Sequence, residues 1–297
     1  MTLPELNNLY STEERCREYL KRLRWPNGLE CPRCESKRVA SLTDNFKFEC
    51  LNCQYQFTAL AGTVFHDTHL SLEKWFLAVL LMCESRKGVS ANQVKRMLGV
   101  SYKTAWFLCH RIRHAMSEMD KPKLNGIVEF DETYIGPKRY PGHPRGRKRG
   151  RNADNKHIVI GIRERGGDVR FVHVQDVTSK TLRDAALANV SQDAELMITD
   201  EMPSYPKAMR GYTHKTIQHK KKRYVDGDIH TNTVESAFSL LKRGIVGTWH
   251  RISAKHLPAY LEEMSFRFNR RNDSDLFQQT LRQLVTTTNL TFEKLTA

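Results

Sequence analysis

Two Cys-x-x-Cys pairs, CPRC (Cys31, Cys34) and CLNC (Cys50, Cys53), stand fifteen residues apart near the start of the chain. Two such knuckles present four thiolates that close a tetrahedron about Zn²⁺, with metal–sulfur distances of about 2.3 Å. Between them KRVASLTDNFKFEC alternates and turns in the manner of a small β-hairpin, so the segment reads as a zinc ribbon. Four protein ligands leave no position for water, which makes the zinc structural. So small a unit has little core of its own, and metal binding supplies much of its folding energy. Cys16, Cys83 and Cys109 lack such spacing and sit in helical, partly apolar contexts, as buried small residues do.

The 297 residues carry a net charge of +15 and a pI near 9.6. An excess of that size draws polyanions, of which nucleic acid is the commonest. The charge is uneven. KRYPGHPRGRKRGR, Lys138–Arg151, holds seven Lys/Arg and no acid among Gly and Pro, and reads as a mobile basic loop. Its Arg145, Arg147, Lys148, Arg149 and Arg151 are candidate contacts to a DNA backbone, and HKKKR at His219–Arg223 forms a second cluster. The longest apolar run, WFLAVLLMC, is far short of the roughly 18–20 residues of a membrane span. Acids come early at the N-terminus, without a secretory h-region. The expectation is a soluble, cytoplasmic chain with no membrane partner, nucleoid-associated when bound to DNA.

After the ribbon, a helix from about Ser71 to Glu84 is expected to be capped by Ser71, with acids in its first turn. SANQVKRMLGVSYKTAWFLCHRIRHAM then gives a short helix, a turn centred on Gly99, and a longer helix beginning at Ser101. Ala105, Leu108, Cys109 and Ile112 have helical spacing. This is a helix-turn-helix pattern, with Tyr102, Lys103 and Thr104 as the groove-facing side chains.

From Gly126 the texture changes. GIVEFDETYIG, HIVIGIRERGG and DVRFVHVQDV read as three strands. SKTLRDAALANV follows as a helix capped by Ser179, AELMITDE as a buried strand ending in Asp200, and YTHKTIQH as a fifth strand after a short helix near Tyr205–Met209. DIHTNTVESAFSLLKRGI and HLPAYLEEMSFRFNRR are the last helices. Three strands, helix, strand, helix, strand, helix is the order of a ribonuclease-H-like domain. The expected class is α/β: a mixed five-stranded sheet with flanking helices, preceded by the ribbon and the helical region. Boundaries are expected at 1–65 for the N-terminal helix and ribbon and 66–120 for the helix-turn-helix-like region. The catalytic domain would span 126–275, with 276–297 as a tail.

In that fold the first and fourth strands are adjacent, so Asp131 and Asp200 approach each other. Carboxylates held close repel, and a divalent cation removes the repulsion; Mg²⁺ (or Mn²⁺) suits oxygen ligands. A third carboxylate from a neighbouring helix would hold a second ion about 3.5–4 Å away. Glu235 is the candidate, thirty-four residues after Asp200. Asn232, Glu235 and Lys242, spaced by three and seven, share one helix face. Glu129 and Glu132 flank Asp131, and alternation is expected to send both to the other face. His214, His219 and His230 read as surface or packing residues.

Asp200-x34-Glu235-x6-Lys242 matches the DDE signature of transposases and retroviral integrases. With FDETYIG, HTNTVESAFSLLKRGIVGT and HLPAYLEEMSFRFNRR, the chain resembles the ISXO-type insertion-sequence transposases over roughly residues 15–275. The resemblance implies a bacterial transposase that cleaves and joins DNA with two Mg²⁺ or Mn²⁺ ions on Asp131, Asp200 and Glu235. Lys242 would contact the DNA end, and ribbon and helix-turn-helix would select the terminal repeats. Related groups carry asparagine at the third position, which keeps Asn232 as an alternative ligand. The implied partner is double-stranded DNA, both element ends and target, bound by a homodimer or larger assembly. A nuclease that cuts without joining, and a DNA-binding regulator with an idle triad, are the rival functions.

Overall fold

In the structure, a computed structural model describing residues 1–42, 46–117, 121–136, 156–218, 227 and 229–297, the cysteine knuckles bracket an antiparallel sheet. Its strands β1 (Val39–Ser41), β2 (Lys47–Cys50) and β3 (Gln56–Thr58) pair in that order. The expected hairpin is β1–β2, and β3 adds a strand beyond the second knuckle. Phe48 and Phe57 meet across β2 and β3 at 5.8 Å between ring centroids, and Trp25 packs on both. That small apolar cluster includes Cys31 and Cys50, so the metal-facing thiols are also part of the core.

Before and after the ribbon in the chain come α1 (Leu3–Leu9), α2 (Glu13–Arg24), α3 (Leu72–Glu84), α4 (Ala91–Leu98) and α5 (Tyr102–Met116). Ser71 precedes α3 but its hydroxyl makes no capping bond; the Leu72 N–H is taken instead by Glu13 Oε2 of α2, at 2.7 Å. The α4–α5 pair follows the helix-turn-helix pattern. Ser90 and Ser101 cap the two helices through the N–H groups of Gln93 and Thr104. Gly99 stands at φ +65°, a conformation that costs a glycine little.

The second unit, Glu118–Asn269, is built on β4 (Ile127–Ile135), β5 (His157–Glu164), β6 (Val169–Val174), α6 (Ser179–Asn189), β7 (Leu196–Thr199), α7 (Tyr205–Ala208), β8 (His214–Thr216), α8 (Asn232–Gly244) and α9 (Leu257–Asn269). The sheet order is β6-β5-β4-β7-β8; β5 is antiparallel to both neighbours, and β4, β7 and β8 run parallel. This is the ribonuclease-H-like arrangement expected from the element order. Alternation on each strand splits the core. Val128, Phe130, Ile160 and Ile162 pack with α6 and α7, whereas Val159, Val169 and Phe171 pack with Val234, Phe238 and Leu241 of α8 and with α9. The cap of α6 is Thr178, one residue earlier than the expected Ser179: its hydroxyl accepts the Thr181 N–H.

Residues 276–297 are not a tail. Arg270–Ala297 belongs to the same unit as Met1–Ser117 and holds α10 (Leu276–Thr286) and α11 (Phe292–Thr296). Phe277, Leu281, Leu284 and Val285 recur at helical spacing, and α10 buries that face against α2, α3 and α5. Val64 N–H reaches the Leu284 carbonyl at 3.2 Å, and Cys83 Sγ lies 3.3 Å from Thr280 Oγ1. Cys16, Cys83 and Cys109 are buried. No helix among the described residues is long and apolar enough to cross a membrane.

Candidate active site

Strand pairing brings the first two acids together. β4 and β7 pair as Ile127↔Leu196, Val128↔Met197 and Glu129↔Ile198. Continued by two residues, that register sets Asp131 opposite Asp200, just past the end of β7. Carboxylate oxygens of Asp131, Asp200 and Glu132 all lie within 4.8 Å of one another. Asp131 Oδ1 accepts the Glu132 N–H and Asp200 Oδ1 the Met202 N–H, each at 2.8 Å. These backbone bonds fix both side chains.

Helix α8 closes the other side of Asp131. Val234, Ala237, Phe238 and Leu241 bury one face, while Asn232, Glu235 and Lys242 are exposed together on the other. The helix lies close on the sheet because Gly161, the cross-strand partner of Asp131, has no side chain. A Cβ there would stand 2.5 Å from the Phe238 ring and 2.9 Å from Val234. Glu235 Oε1 accepts the Thr231 hydroxyl at 3.2 Å. Its carboxylate is not among the three that lie within 4.8 Å of each other. Its charge still reaches Asp131. Burial, then the charge of Glu132, then those of Asp200 and Glu235 push the Asp131 carboxyl up to about 7, against the Glu132 N–H bond that favours the charged form.

Two flanking acids depart from expectation. Glu132 does point to the α6–α7 face, where the Tyr205 hydroxyl donates to its Oε2 at 2.6 Å, yet it still joins the Asp131–Asp200 pair. Glu129 does not face away from Asp131: positions two apart share a strand face. It is fully buried on the α8 side, bonded to the N–H groups of Thr233 and Val234 and to Arg165. Strand alternation marks Glu132 as an acid of the other face; only the fold shows it beside Asp131 and Asp200. His230 pairs with Arg165 and Glu129, and His214 Nε2 lies 2.8 Å from Thr199 Oγ1, as packing residues would. The basic loop with Arg145, Arg147, Lys148, Arg149 and Arg151, and the cluster at 219–223, lie outside the described residues.

The zinc ligands meet a stricter geometric test. Thiolates about 2.3 Å from a tetrahedral Zn²⁺ are about 3.8 Å from each other. Cys31 and Cys53 Sγ are 3.7 Å apart, Cys34 and Cys50 Sγ 3.5 Å, and all four sulfurs lie within 4.8 Å. The knuckles are built alike. Glu35 N–H returns to the Cys31 carbonyl and Gln54 N–H to that of Cys50, with Glu35 and Gln54 both at positive φ. The four residues fit one structural Zn²⁺.

At the start of α5, Tyr102, Lys103 and Thr104 are all exposed. The Lys103 ammonium stands 4.5 Å from the centre of the Phe292 ring, and Thr104 Oγ1 is 2.9 Å from Ser101 Oγ. All three stand in the first turn of α5.

Among solved structures, the Mos1 strand transfer complex is 11% identical, with 71% of this chain and 75% of that one covered and a TM-score of 0.31. A pre-cleavage Mos1 transpososome is 12% identical, with 73% and 79% covered and a TM-score of 0.29. Likeness at that level adds nothing to the fold, which rests on the strand order. A profile of the ISXO2-like transposase domain matches residues 123–269, and one of the transposase zinc-ribbon domain matches residues 11–56. An uncharacterized protein of the transposable element ISH50 from Halobacterium salinarum is 32% identical over 274 residues, 87% of this chain and 91% of that one. With the ribbon before it and the acids on adjacent strands of an ISXO2-like domain, the chain belongs to the family of ISXO2-like, zinc-ribbon transposases.

Proposed function

We propose that this transposase cleaves DNA at the ends of its element and joins the freed 3′-ends to target DNA, with Asp131, Asp200 and Glu235 as the ligands of two Mg²⁺ or Mn²⁺ ions. The observation that carries this is the convergence on one carboxyl. Asp131 is held opposite Asp200 by strand register and lies within the field of Glu235 on α8. Acids so placed repel, and a divalent cation is the partner that relieves them. Such ions, when bound, activate an attacking water or 3′-hydroxyl and stabilise the leaving oxygen. The protein supplies the placement: the strand pair fixes two carboxylates and the α8 face brings the third, beside Asn232. Lys242, exposed on that face, holds a DNA phosphate as a point charge. Tyr102, Lys103 and Thr104 read the terminal repeats together with the ribbon. Two ends must be cut and joined in concert, so the working form on DNA is a dimer or larger.

Strand joining on a plasmid carrying the element's ends, in Mg²⁺, tests the reading with wild type, Glu235→Gln and Asn232→Ala. Loss of cleavage and joining in Glu235→Gln alone supports the triad as assigned. Loss in Asn232→Ala alone keeps the enzyme and moves the third ligand to Asn232. Cutting without joining by wild type makes the chain a nuclease, and inactivity makes it a DNA-binding regulator.

A further inference from the structure

We propose that Glu129 is a positioning residue that locks the first turn of α8 to β4 and thereby sets where Glu235 stands relative to Asp131. The inference rests on the assignment of Glu235 as an ion ligand. Glu129 precedes Asp131 by two residues on β4, is 0% exposed, and among the described residues its carboxylate bonds to the first turn of α8, to His230 just before it and to Arg165. Its Oε2 accepts the N–H groups of Thr233 and Val234, both at 2.9 Å. Its Oε1 accepts Arg165 Nε at 2.8 Å and lies 3.2 Å from His230 Nδ1. Arg165 Nη2 donates in turn to the His230 carbonyl at 3.0 Å, just ahead of the helix. The far side of the same turn is also held: Arg163, cross-strand partner of Glu129, donates to the Thr233 carbonyl.

The first N–H groups of a helix have no partner within it. An N-cap side chain ordinarily takes one of them. Here the N-cap is Thr231, which makes no capping bond; its hydroxyl goes to Glu235. Glu129 does the capping from another element, where the helix dipole also favours a carboxylate. The chain uses the same device at α3, capped by Glu13. At α8 the consequence is functional. The capped amides belong to the residues between Asn232 and Glu235, and the capping carboxylate belongs to the strand of Asp131. One side chain therefore ties the two halves of the ion site, as buried hydrogen bonds behind a site hold its ligands in register.

The test is Mn²⁺ titration of the full-length protein by calorimetry, in wild type, Glu129→Gln, Glu235→Gln and the double variant. Amide exchange over residues 231–236 is measured alongside. Losing a group behind the ligands is expected to weaken ion binding by about tenfold to a hundredfold. Glu129→Gln should do so while the rest of the unit keeps its exchange protection. The double variant should bind no more weakly than Glu235→Gln, because both changes act through one ligand. Wild-type affinity in Glu129→Gln, or losses that multiply in the double variant, would overturn the proposal. If Glu129→Gln does not fold, the neutral pair Glu129→Gln/Arg165→Met is to show the same deficit, and normal binding by it is equally fatal. Wild-type affinity in Glu235→Gln would overturn the ligand assignment itself; the exchange data would then still report whether Glu129 holds α8.

Discussion

The zinc site and the proposed acid site are built in opposite ways. The four thiols sit on two knuckles of one short segment, and each knuckle positions its own pair through the same backbone turn. The clustered acids come from β4 and the end of β7, with α8 proposed to add Glu235, and nothing local to any one of them makes a site. A thiolate site shaped by local turns carries its ion as part of its fold. A carboxylate site assembled by a sheet exists before its ion, at the cost of gathered negative charge. Zinc loss should therefore be a folding event, and Mg²⁺ loss an electrostatic one.

The largest effect expected is at the knuckles. Cys50→Ser removes a buried ligand that is also part of the ribbon's small apolar cluster. Structural zinc contributes about 10–16 kcal/mol in isolated zinc-finger peptides, so the ribbon should lose both zinc and ordered structure. Elemental analysis should fall from one zinc per chain to none, while amide protection in β4, β5 and β7 persists. Zinc retained at full occupancy would break the contrast at its first term.

Next in size is a change at neither site. Phe277→Ala on α10 removes a ring that packs against Tyr10 and Phe76. Truncation of a buried Phe costs about 3–5 kcal/mol. Thermal unfolding should show that loss in the unit of Met1–Ser117 with Arg270–Ala297. An unaltered transition would mean that α10 is the tail it first resembled.

Most of the departures from the sequence reading share one physical source. Each knuckle's spacing defines its own geometry, so Cys31, Cys34, Cys50 and Cys53 were legible at once. The strand order was legible because apolar alternation marks each strand, and register then carried Asp131 to Asp200. What escaped depends on partners far along the chain. The capping acceptor of α8 is a glutamate more than a hundred residues away, and that of α3 is Glu13 on α2. Helix α10 reads as a tail until α2, α3 and α5 are seen to need its apolar face. Glu129 was misplaced for a plainer reason: residues two apart on a strand share a face. The approach of Glu132 to the other two acids follows from its position on β4 beyond the last residue of β7, where no strand residue stands between it and Asp200.

The acid site should answer to pH in the opposite sense to the zinc site, whose thiolates hold their ion less well as pH falls. With its carboxyl pushed up to about 7, Asp131 keeps a proton in the fold that the unfolded chain has given up above its ordinary value of 3.8. The fold then binds more protons than the unfolded chain, so stability falls as pH rises from about 4 and levels off above about 7. One pKa unit is worth about 1.4 kcal/mol. In protein free of Mg²⁺ and Mn²⁺ but keeping its zinc, Asp131→Asn lacks this penalty and should melt higher than wild type at pH 8 by several degrees, with the gap closing towards pH 4. Mg²⁺ draws off the same proton, so it should raise the wild-type melting temperature more at pH 8 than at pH 5, and should do little for Asp131→Asn. A pH-independent gap would place the strain elsewhere than on Asp131.

The smallest change asks how many acids share the ion. Tyr205 donates to Glu132 from the buried face of α7, and burial together with the charges of Glu132 and Asp131 keeps its phenol protonated well above the ordinary range. It is therefore a fixed donor, and it satisfies one oxygen of an acid that crowds Asp131. Tyr205→Phe deletes that bond and leaves the ring in place. A buried acceptor losing its donor costs about 1–3 kcal/mol, or a few degrees of melting temperature in a unit of this size. Part of the loss should be recoverable. Glu132, without its donor, presses harder on Asp131, and an ion between them relieves more repulsion than before. The Mg²⁺-induced rise in melting temperature should thus be larger in Tyr205→Phe than in wild type. It should return to the wild-type value or below in Tyr205→Phe/Glu132→Gln. If Tyr205→Phe shows an unchanged rise, Glu132 stands beside the ion without sharing it, and the site reduces to Asp131, Asp200 and the residue offered by α8.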